Sequence, residues 1–323
     1  MAAKRGTSAS VAVGQGLVGF GLVAIGVVAT LATLLGFFGS TWWLFDYAAN
    51  FRPHLAVVLL LVSLAYSLLF SKATGLFFMA MAIINGLVVL PLYAGNPAQA
   101  AAGDDLTIVS FNVDQRSSIR ATTNTWIELV EPDIVVLVNA NDDWVRTGAP
   151  PLSYQYVNDL PLDRTFGISV LAREDLDSEI IRVTQIRDMV VRVEASIADE
   201  PIAVYAVQSR TSSNQGDADL RDKYFEEVAL MVRRDSVPAV VVGDFQSGPW
   251  SHTFRKLQSD ADLVDSLEGY GIQTTYPADR WAFLRLPFDN LLHSEELTTV
   301  DRYLGPTFGV KHRPIVVKLA LAA

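Results

Sequence analysis

The chain has no cysteine among its 323 residues. Disulfides, zinc–thiolate sites and thiol nucleophiles are therefore excluded. Charge is missing from Gly6 to Phe45, and again from Leu55–Phe70 and Thr74–Tyr93. Basic residues are in deficit, with 25 Lys and Arg against 35 Asp and Glu, a net charge of −10. The deficit is uneven, because residues 1–94 carry +3 and the remainder therefore −13. A phosphate backbone is held by clustered Lys and Arg, so the acidic part argues against nucleic acid as a partner. Internal repeats and low-complexity tracts are also absent.

What the first hundred residues do contain is apolar surface of membrane length. A span needs about 20 apolar residues. The runs predict three transmembrane helices, at about 13–38, 55–70 and 75–93. The first run far exceeds the h-region of a cleaved signal peptide. Trp42, Trp43 and Tyr47 fit an interfacial aromatic belt. Lys4, Arg5 and Lys72 stand against Arg52 alone, which places the N-terminus in the cytoplasm. An odd number of spans puts everything after Tyr93 outside, that is, at an inner membrane with a periplasmic domain. Residues 1–94 are thus read as an anchor and 95–105, "GNPAQAAAGDD", as a linker. Residues 106–323 remain for one large domain with its own core.

In that domain, runs of β-formers predict strands at Leu106–Val113, Ile134–Val138, Ile168–Ala172, Met189–Val193, Ile202–Val207 and Pro238–Phe245. Phe288–Leu292 and Pro314–Leu321 read as the last two. Ala121–Val130 and Asp217–Arg234 have helical spacing. The mixture predicts an α/β or α+β class. Chemistry-bearing residues collect at strand ends, where side chains can face a cleft. Asn112 ends "SFNV", Asp244 ends "AVVVGD", Asp289 enters a late strand, and His312 precedes the last one. An Asp–His pair would fix the imidazole tautomer. Asp244 taken alone reads equally as a turn residue.

This ordered set resembles the endonuclease/exonuclease/phosphatase superfamily. "LTIVSFNV", "EPDIVVLVN", "FGISVLAR", "IAVYAVQS", "PAVVVGDFQSGPWSHTF", "IQTTYP…LRLPFDNLL" and "GVKHRPIV" follow the order of that family's strands and loops. The resemblance implies a four-layer sandwich of two mixed β-sheets flanked by helices. It also implies phosphoester hydrolysis by activated water, assisted by magnesium or manganese. The catalytic set carried over is Asn112, Asp244, Asp289 and His312, and the metal ligands are Asp244 and the position of Asn139.

The sequence departs from the family pattern at five places. Asn139 stands for the Glu of "LQE" and Gln208 for the His of "THP". Gln246 stands for the Asn of "GDFN", Asn290 for the His of "IDH", and Lys311 for the Asp of "SDH". The family's metal-site positions sum to about −3; Asn139, Asp244 and Lys311 sum to zero. At about 4 Å and an effective dielectric near 20, each unit-charge pair is worth roughly 4 kcal/mol. The economical reading is that Lys311 replaces the cation. Gln208, Gln246, Lys311 and Arg313 then become candidates for binding a phosphate-bearing ligand. The other reading of Lys311 is a snorkelling surface side chain. His252 and His293 read as surface or loop residues. Two functions stay open: an anion-binding or interaction module needing no cofactor, and a Mg- or Mn-dependent phosphoesterase acting on an envelope component.

Overall fold

The computed structural model describes residues 3–95, 105–145, 150–158, 167–183 and 188–322. Residues 96–104 of the expected linker lie outside that set. The chain divides into two compact units, Met1–Pro91 with Trp250–His252, and Leu92–Pro249 with Thr253–Ala323.

The first unit is helical. It comprises α1 (Ala3–Leu35), α2 (Trp43–Ala49), α3 (Arg52–Leu69) and α4 (Lys72–Val89). Three stretches, Gly14–Phe38, Arg52–Leu69 and Lys72–Val89, are long and apolar enough to cross a membrane. They pack through Ala29, Leu59, Val62, Phe78 and Ala82. Gly75 is required for close approach, since a Cβ there would sit 1.8 Å from the Ser67 hydroxyl. The expected loop charge Arg52 is instead buried as the first residue of α3. Its Nη1 donates to the Thr33 carbonyl and to Asn85 Oδ1, at 2.9 and 3.2 Å. Phe37 lies under the guanidinium at 4.0 Å.

The second unit begins with the short helix α5 (Pro91–Ala94), then builds two six-stranded sheets. One sheet contains β1 (Asp105–Asn112), β2 (Ile134–Val138), β3 (Gln155–Asn158) and β4 (Ile168–Ala172). The other contains β5 (Ser178–Arg182), β6 (Met189–Ile197), β7 (Glu200–Gln208), β8 (Ala239–Asp244), β9 (Leu263–Asp265) and β10 (Asp289–Ser294). Finally β11 (Leu297–Leu304) and β12 (Ile315–Leu321) return to the first sheet. The orders are β11-β12-β1-β2-β4-β3 and β5-β6-β7-β8-β10-β9. Both sheets are mixed, since β1–β2 and β7–β8 are parallel within otherwise antiparallel pairings.

Three apolar cores make this four layers. Ile108, Val136, Val191, Val204, Val242 and Val317 interlock between the sheets. The outer face of the second sheet packs Tyr205 and Val241 against Tyr224, Phe225 and Val228 of α8 (Gln215–Arg234). It also packs Phe254 and Leu257 of α9 (His252–Asp260). The outer face of the first sheet packs Val109 and Val135 against Ile127 of α6 (Arg120–Val130). Trp144, from the short α7 (Asp142–Val145), joins that layer. Because side chains alternate along a strand, near-continuous β-branched runs are buried on both faces. The central strands therefore read as unbroken hydrophobic sequence.

Two expectations are corrected here. Phe288–Leu292 and Pro314–Leu321 are not consecutive strands, because β11 lies between them and pairs with β12. His293 is not a surface residue. It is buried in β10, with Nε2 3.0 Å from Thr299 Oγ1 and Nδ1 2.9 Å from the Ser294 carbonyl.

Candidate functional site

Backbone register assembles the site before any side chain is considered. In the second sheet Gln208 pairs with Asp244, and Asp244 pairs with Asp289. Residues paired in register point to the same face. Three polar side chains from β7, β8 and β10 thus form one row at the strand ends. Gly243 permits this spacing. Its φ is +149°, and a Cβ there would lie 1.9 Å from the Val207 carbonyl oxygen. Asn112 ends β1, and Asn139 follows the end of β2, so the facing sheet contributes two amides. His312 reaches in from the loop before β12.

The contacts fall into two sets. The first is a directional chain of amides. The Gly167 N–H donates to Gln208 Oε1 at 3.1 Å, and Gln208 Nε2 to Asn139 Oδ1 at 2.7 Å. Asn139 Nδ2 then donates to Asn112 Oδ1 at 3.1 Å, and Asn112 Nδ2 to Asp244 Oδ2 at 2.8 Å. Gln246 closes the chain from the other side. Its Nε2 donates to Asp244 Oδ2 at 2.7 Å and its backbone N–H to Asp244 Oδ1 at 3.0 Å. Asn139 and Gln246 hold positive φ, 56° and 49°. Such backbone costs on the order of 1 kcal/mol for each side-chain-bearing residue.

The second set is ionic. His312 Nδ1 lies 2.8 Å from Asp289 Oδ2, and Nε2 lies 3.9 Å from Asp244 Oδ2. All three residues are buried. Burial alone would lower the His312 pKa, but the carboxylates of Asp289 and Asp244 overcome it and raise it to about 9. Asp244 is pushed up to about 6 by burial, against the opposing pull of His312. The two carboxylates thus favour the imidazolium form of His312. Asp289 is fixed from behind, its backbone N–H donating to Thr275 Oγ1 at 3.1 Å. The Tyr276 ring packs on His312 at 4.7 Å. Thr275 and Tyr276 were visible in "IQTTYP" but carried no role in the sequence reading.

A cavity of about 290 Å³ opens over the amide half, lined by Asn139, Gln208, Ser209, Arg210, Thr211, Asp217, Asp244 and Gln246. Arg210 and Thr211 were not singled out from sequence, and no local motif marks them. Two candidates are not brought to this cavity. Lys311 is exposed. The expectation that Lys311 supplies a cation within the cluster is not met; the basic residue inside it is His312. Arg313 donates Nε and Nη2 to the Gly305 carbonyl, at 3.1 and 2.7 Å. It braces that loop instead of meeting a ligand.

The fit to a divalent metal is testable on these contacts. Asp244, Asp289 and His312 offer ligand atoms within 4.8 Å of one another. Magnesium, however, prefers oxygen ligands in octahedral geometry, and a histidine ligand must be neutral. Both Asp244 oxygens already accept N–H groups. Asp289 Oδ2 is committed to the imidazolium. The amide oxygens of Gln208, Asn139 and Asn112 accept as links of the chain, and Gln246 Oε1 accepts from Thr211. Asp289 Oδ1, buried without a hydrogen-bond partner, is the oxygen of these three residues left open, so a magnesium ion bound here would displace part of this hydrogen-bond network.

The sequence pattern of the family described as "Endonuclease/Exonuclease/phosphatase family" matches residues 109–314. Solved structures agree in fold. Humanized TDP2 of D. rerio is 18% identical, covering 67% of this chain and 99% of its own, with TM-score 0.52. Mannosyl-6-phosphatase Bt3783 of Bacteroides thetaiotaomicron is 15% identical, covering 67% and 100%, with TM-score 0.54. The human Nocturnin catalytic domain, solved with bound sulfate anion, is 16% identical, covering 68% and 94%, with TM-score 0.52. At these identities the likeness establishes the fold alone. No curated protein sequence matches. The family match spans well over half of the chain, and the chain belongs to this family.

Proposed function

We propose that this chain, a member of the endonuclease/exonuclease/phosphatase family, is a membrane-anchored protein that binds a phosphate-bearing ligand without a resident divalent metal. The amide chain from Gly167 to Asp244 carries the reading. Its oxygens already accept hydrogen bonds from within the site, so a metal drawn to the open Asp289 Oδ1 would have to displace them to complete its shell. Positive charge on the cavity wall comes from Arg210, whose guanidinium also pairs with Asp188. Ser209, Thr211 and the Gln208 and Gln246 amides add O–H and N–H donors to that lining, which suits phosphoryl oxygens. Asp217 and Asp244 on the same wall accept from hydroxyls, so a hydroxyl-bearing phosphate ester matches the lining better than bare phosphate. Without an activated water, hydrolysis is slow or absent.

The anchor reading places the N-terminus in the cytoplasm and the second unit on the outer face of an inner membrane. Arg52 strengthens the charge count behind it. Engaged among the helices, it no longer opposes Lys4, Arg5 and Lys72 as a loop charge.

A second reading is favoured by one observation, the Asp244–Asp289–His312 grouping. If His312 gave up its proton, that grouping would present two carboxylates and an imidazole, and the protein would be a Mg- or Mn-dependent phosphoesterase. Calorimetric titration of Mg and then Mn into the full chain separates the two. An Asn139→Glu/Lys311→Asp variant serves as the positive control. Binding by the double variant alone supports the metal-free reading. Sub-millimolar binding by the wild type sinks it and calls for a phosphoester substrate screen.

A further inference from the structure

The loop between Tyr276 and Leu286, "YPADRWAFLRL", presents apolar side chains to solvent. Trp281 is 75% exposed, Phe283 63% and Leu284 49%. Every residue from Asp279 to Leu284 is exposed. The loop is nonetheless built. Tyr276 and Leu286 bridge its neck. The Leu284 N–H donates to the Trp281 carbonyl at 2.8 Å, closing a single 3₁₀ turn. Arg285 Nε and Nη2 donate to the Arg280 and Ala278 carbonyls, at 2.9 and 2.8 Å. Trp281 and Phe283 pack edge to face with centroids 5.7 Å apart. Backbone bonds therefore hold a Trp-Ala-Phe-Leu tip outward, where free apolar side chains would fold back on the surface.

The base of the finger adjoins the site. The Ala278 N–H donates to the Lys311 carbonyl at 2.6 Å, and the Tyr276 ring lies on His312. Exposed cations surround it: Arg280 on the loop, Lys311 beside it, and Arg116, whose Nη1 donates to the Gly309 carbonyl at 3.4 Å. Asp279 and Asp114 are the opposing acids. A basic rim on a chain of net charge −10 is a local feature, complementary to an anionic surface. Interfacial Trp and Phe beside Lys and Arg is the composition that seats a segment at lipid head groups. The same chain carries three helices of membrane length.

We infer that the Asp279–Leu284 finger inserts its Trp281–Phe283–Leu284 tip into an anionic bilayer and presents the Arg116, Arg280 and Lys311 rim to lipid head groups. The ligand of the cavity is then a head-group phosphate ester. That identification rests on the phosphate-binding reading above, whereas insertion of the finger does not.

The absence of cysteine makes the test direct. An Ala282→Cys variant of the full chain carries an environment-sensitive fluorophore. It is reconstituted in phosphatidylcholine vesicles containing phosphatidylglycerol as a third of the lipid. Nitroxide-labelled lipids report depth. A Glu200→Cys label, exposed at the opposite end of β7 from Gln208, is the reference. The expected result is a label at 282 roughly 5–10 Å below the head-group level, with the label at 200 in water. Arg116→Glu/Arg280→Glu is expected to lower the inserted fraction about tenfold or more. A label at 282 that stays in water overturns the inference, as does equal insertion in phosphatidylcholine alone. Shielding of that label in detergent overturns it too, because protein would then cover the finger. Inositol phosphate binding is measured separately in detergent by calorimetry. Loss of that binding with insertion intact removes the head-group ligand and leaves the finger; the converse leaves the cavity.

Discussion

The two halves of the buried cluster obey different rules. The amide half, Gln208, Asn139 and Asn112, is neutral and links the two sheets by single hydrogen bonds of 2.7–3.1 Å. The ionic half, Asp244, Asp289 and His312, holds charge in a place that disfavours it. A neutral hydrogen bond contributes about 1 kcal/mol net, while stranding a buried charge costs about 3–5 kcal/mol. The neutral half can therefore be altered one hydrogen bond at a time, whereas the ionic half depends on mutual balance of its charges. An Asp–His pair inside a closed sandwich is hard to replace singly, because each partner makes the other tolerable.

The most direct way to break this contrast is Asp289→Asn. It leaves the His312 imidazolium buried with only Asp244 near it. The expected loss is about 3–5 kcal/mol, read as a fall in melting midpoint on the order of 10 °C. Circular dichroism of the full chain in detergent measures it. A fall no larger than that of an amide substitution would mean His312 is neutral and the halves are alike.

Next in size is pH. The His312 pKa rises from 6.5 to about 9 in the folded protein. A raised pKa means the folded state holds the proton more tightly. The stabilisation is therefore full below pH 6.5 and is lost as pH rises through about 9. The amplitude is on the order of 3 kcal/mol, since one pKa unit is worth about 1.4 kcal/mol. Asp244 has the same sign at lower pH. Its stabilising protonation is full below 3.8 and lost through about 6. Melting midpoints should decline between pH 6.5 and 9, and Asp289→Asn should flatten that decline. A midpoint that rises over this range would refute the imidazolium.

The amide half yields a smaller effect. Gln208→Leu removes the acceptor of the Gly167 N–H and the donor to Asn139 Oδ1 at once. Unsatisfied buried partners cost about 1–3 kcal/mol. A double-mutant cycle with Asn139→Ala should show coupling of at least about 0.5 kcal/mol. Strict additivity would mean that the amides are neighbours without being a chain.

The same contrast explains what was legible in the sequence. Ile134–Val138 and Ile168–Ala172 announced their strands because both faces are buried and β-branched. β11 did not, because "LTTVDRYL" interrupts its apolar residues with Asp301 and Arg302. Arg302 is in fact buried, its Nη1 on the Ser266 hydroxyl and its Nε on Gln273. Asn112, Asp244, Asp289 and His312 were legible as a set through their order at strand ends. Asn139, Gln208 and Gln246 were picked out by the resemblance, but not as a hydrogen-bonded chain. That property depends on the register between β7 and β8 and on β1 meeting β2. Such register is long-range information that no local window carries.

Lys311 is where position and direction part company, and it gives the smallest predicted effect. Its alignment with an acidic family position says only where the backbone passes. The backbone does pass the site, since the Lys311 carbonyl accepts from Ala278 and His312 follows it. Across the bend at 309–311 His312 is buried while Lys311 is exposed. Lys311→Met should therefore change stability by no more than about 0.5 kcal/mol. The His312 titration, followed by imidazole proton NMR, should stay in place. An upward move would mean that an ammonium had been repelling the imidazolium from within the cluster, and the two-half description would need a third charge.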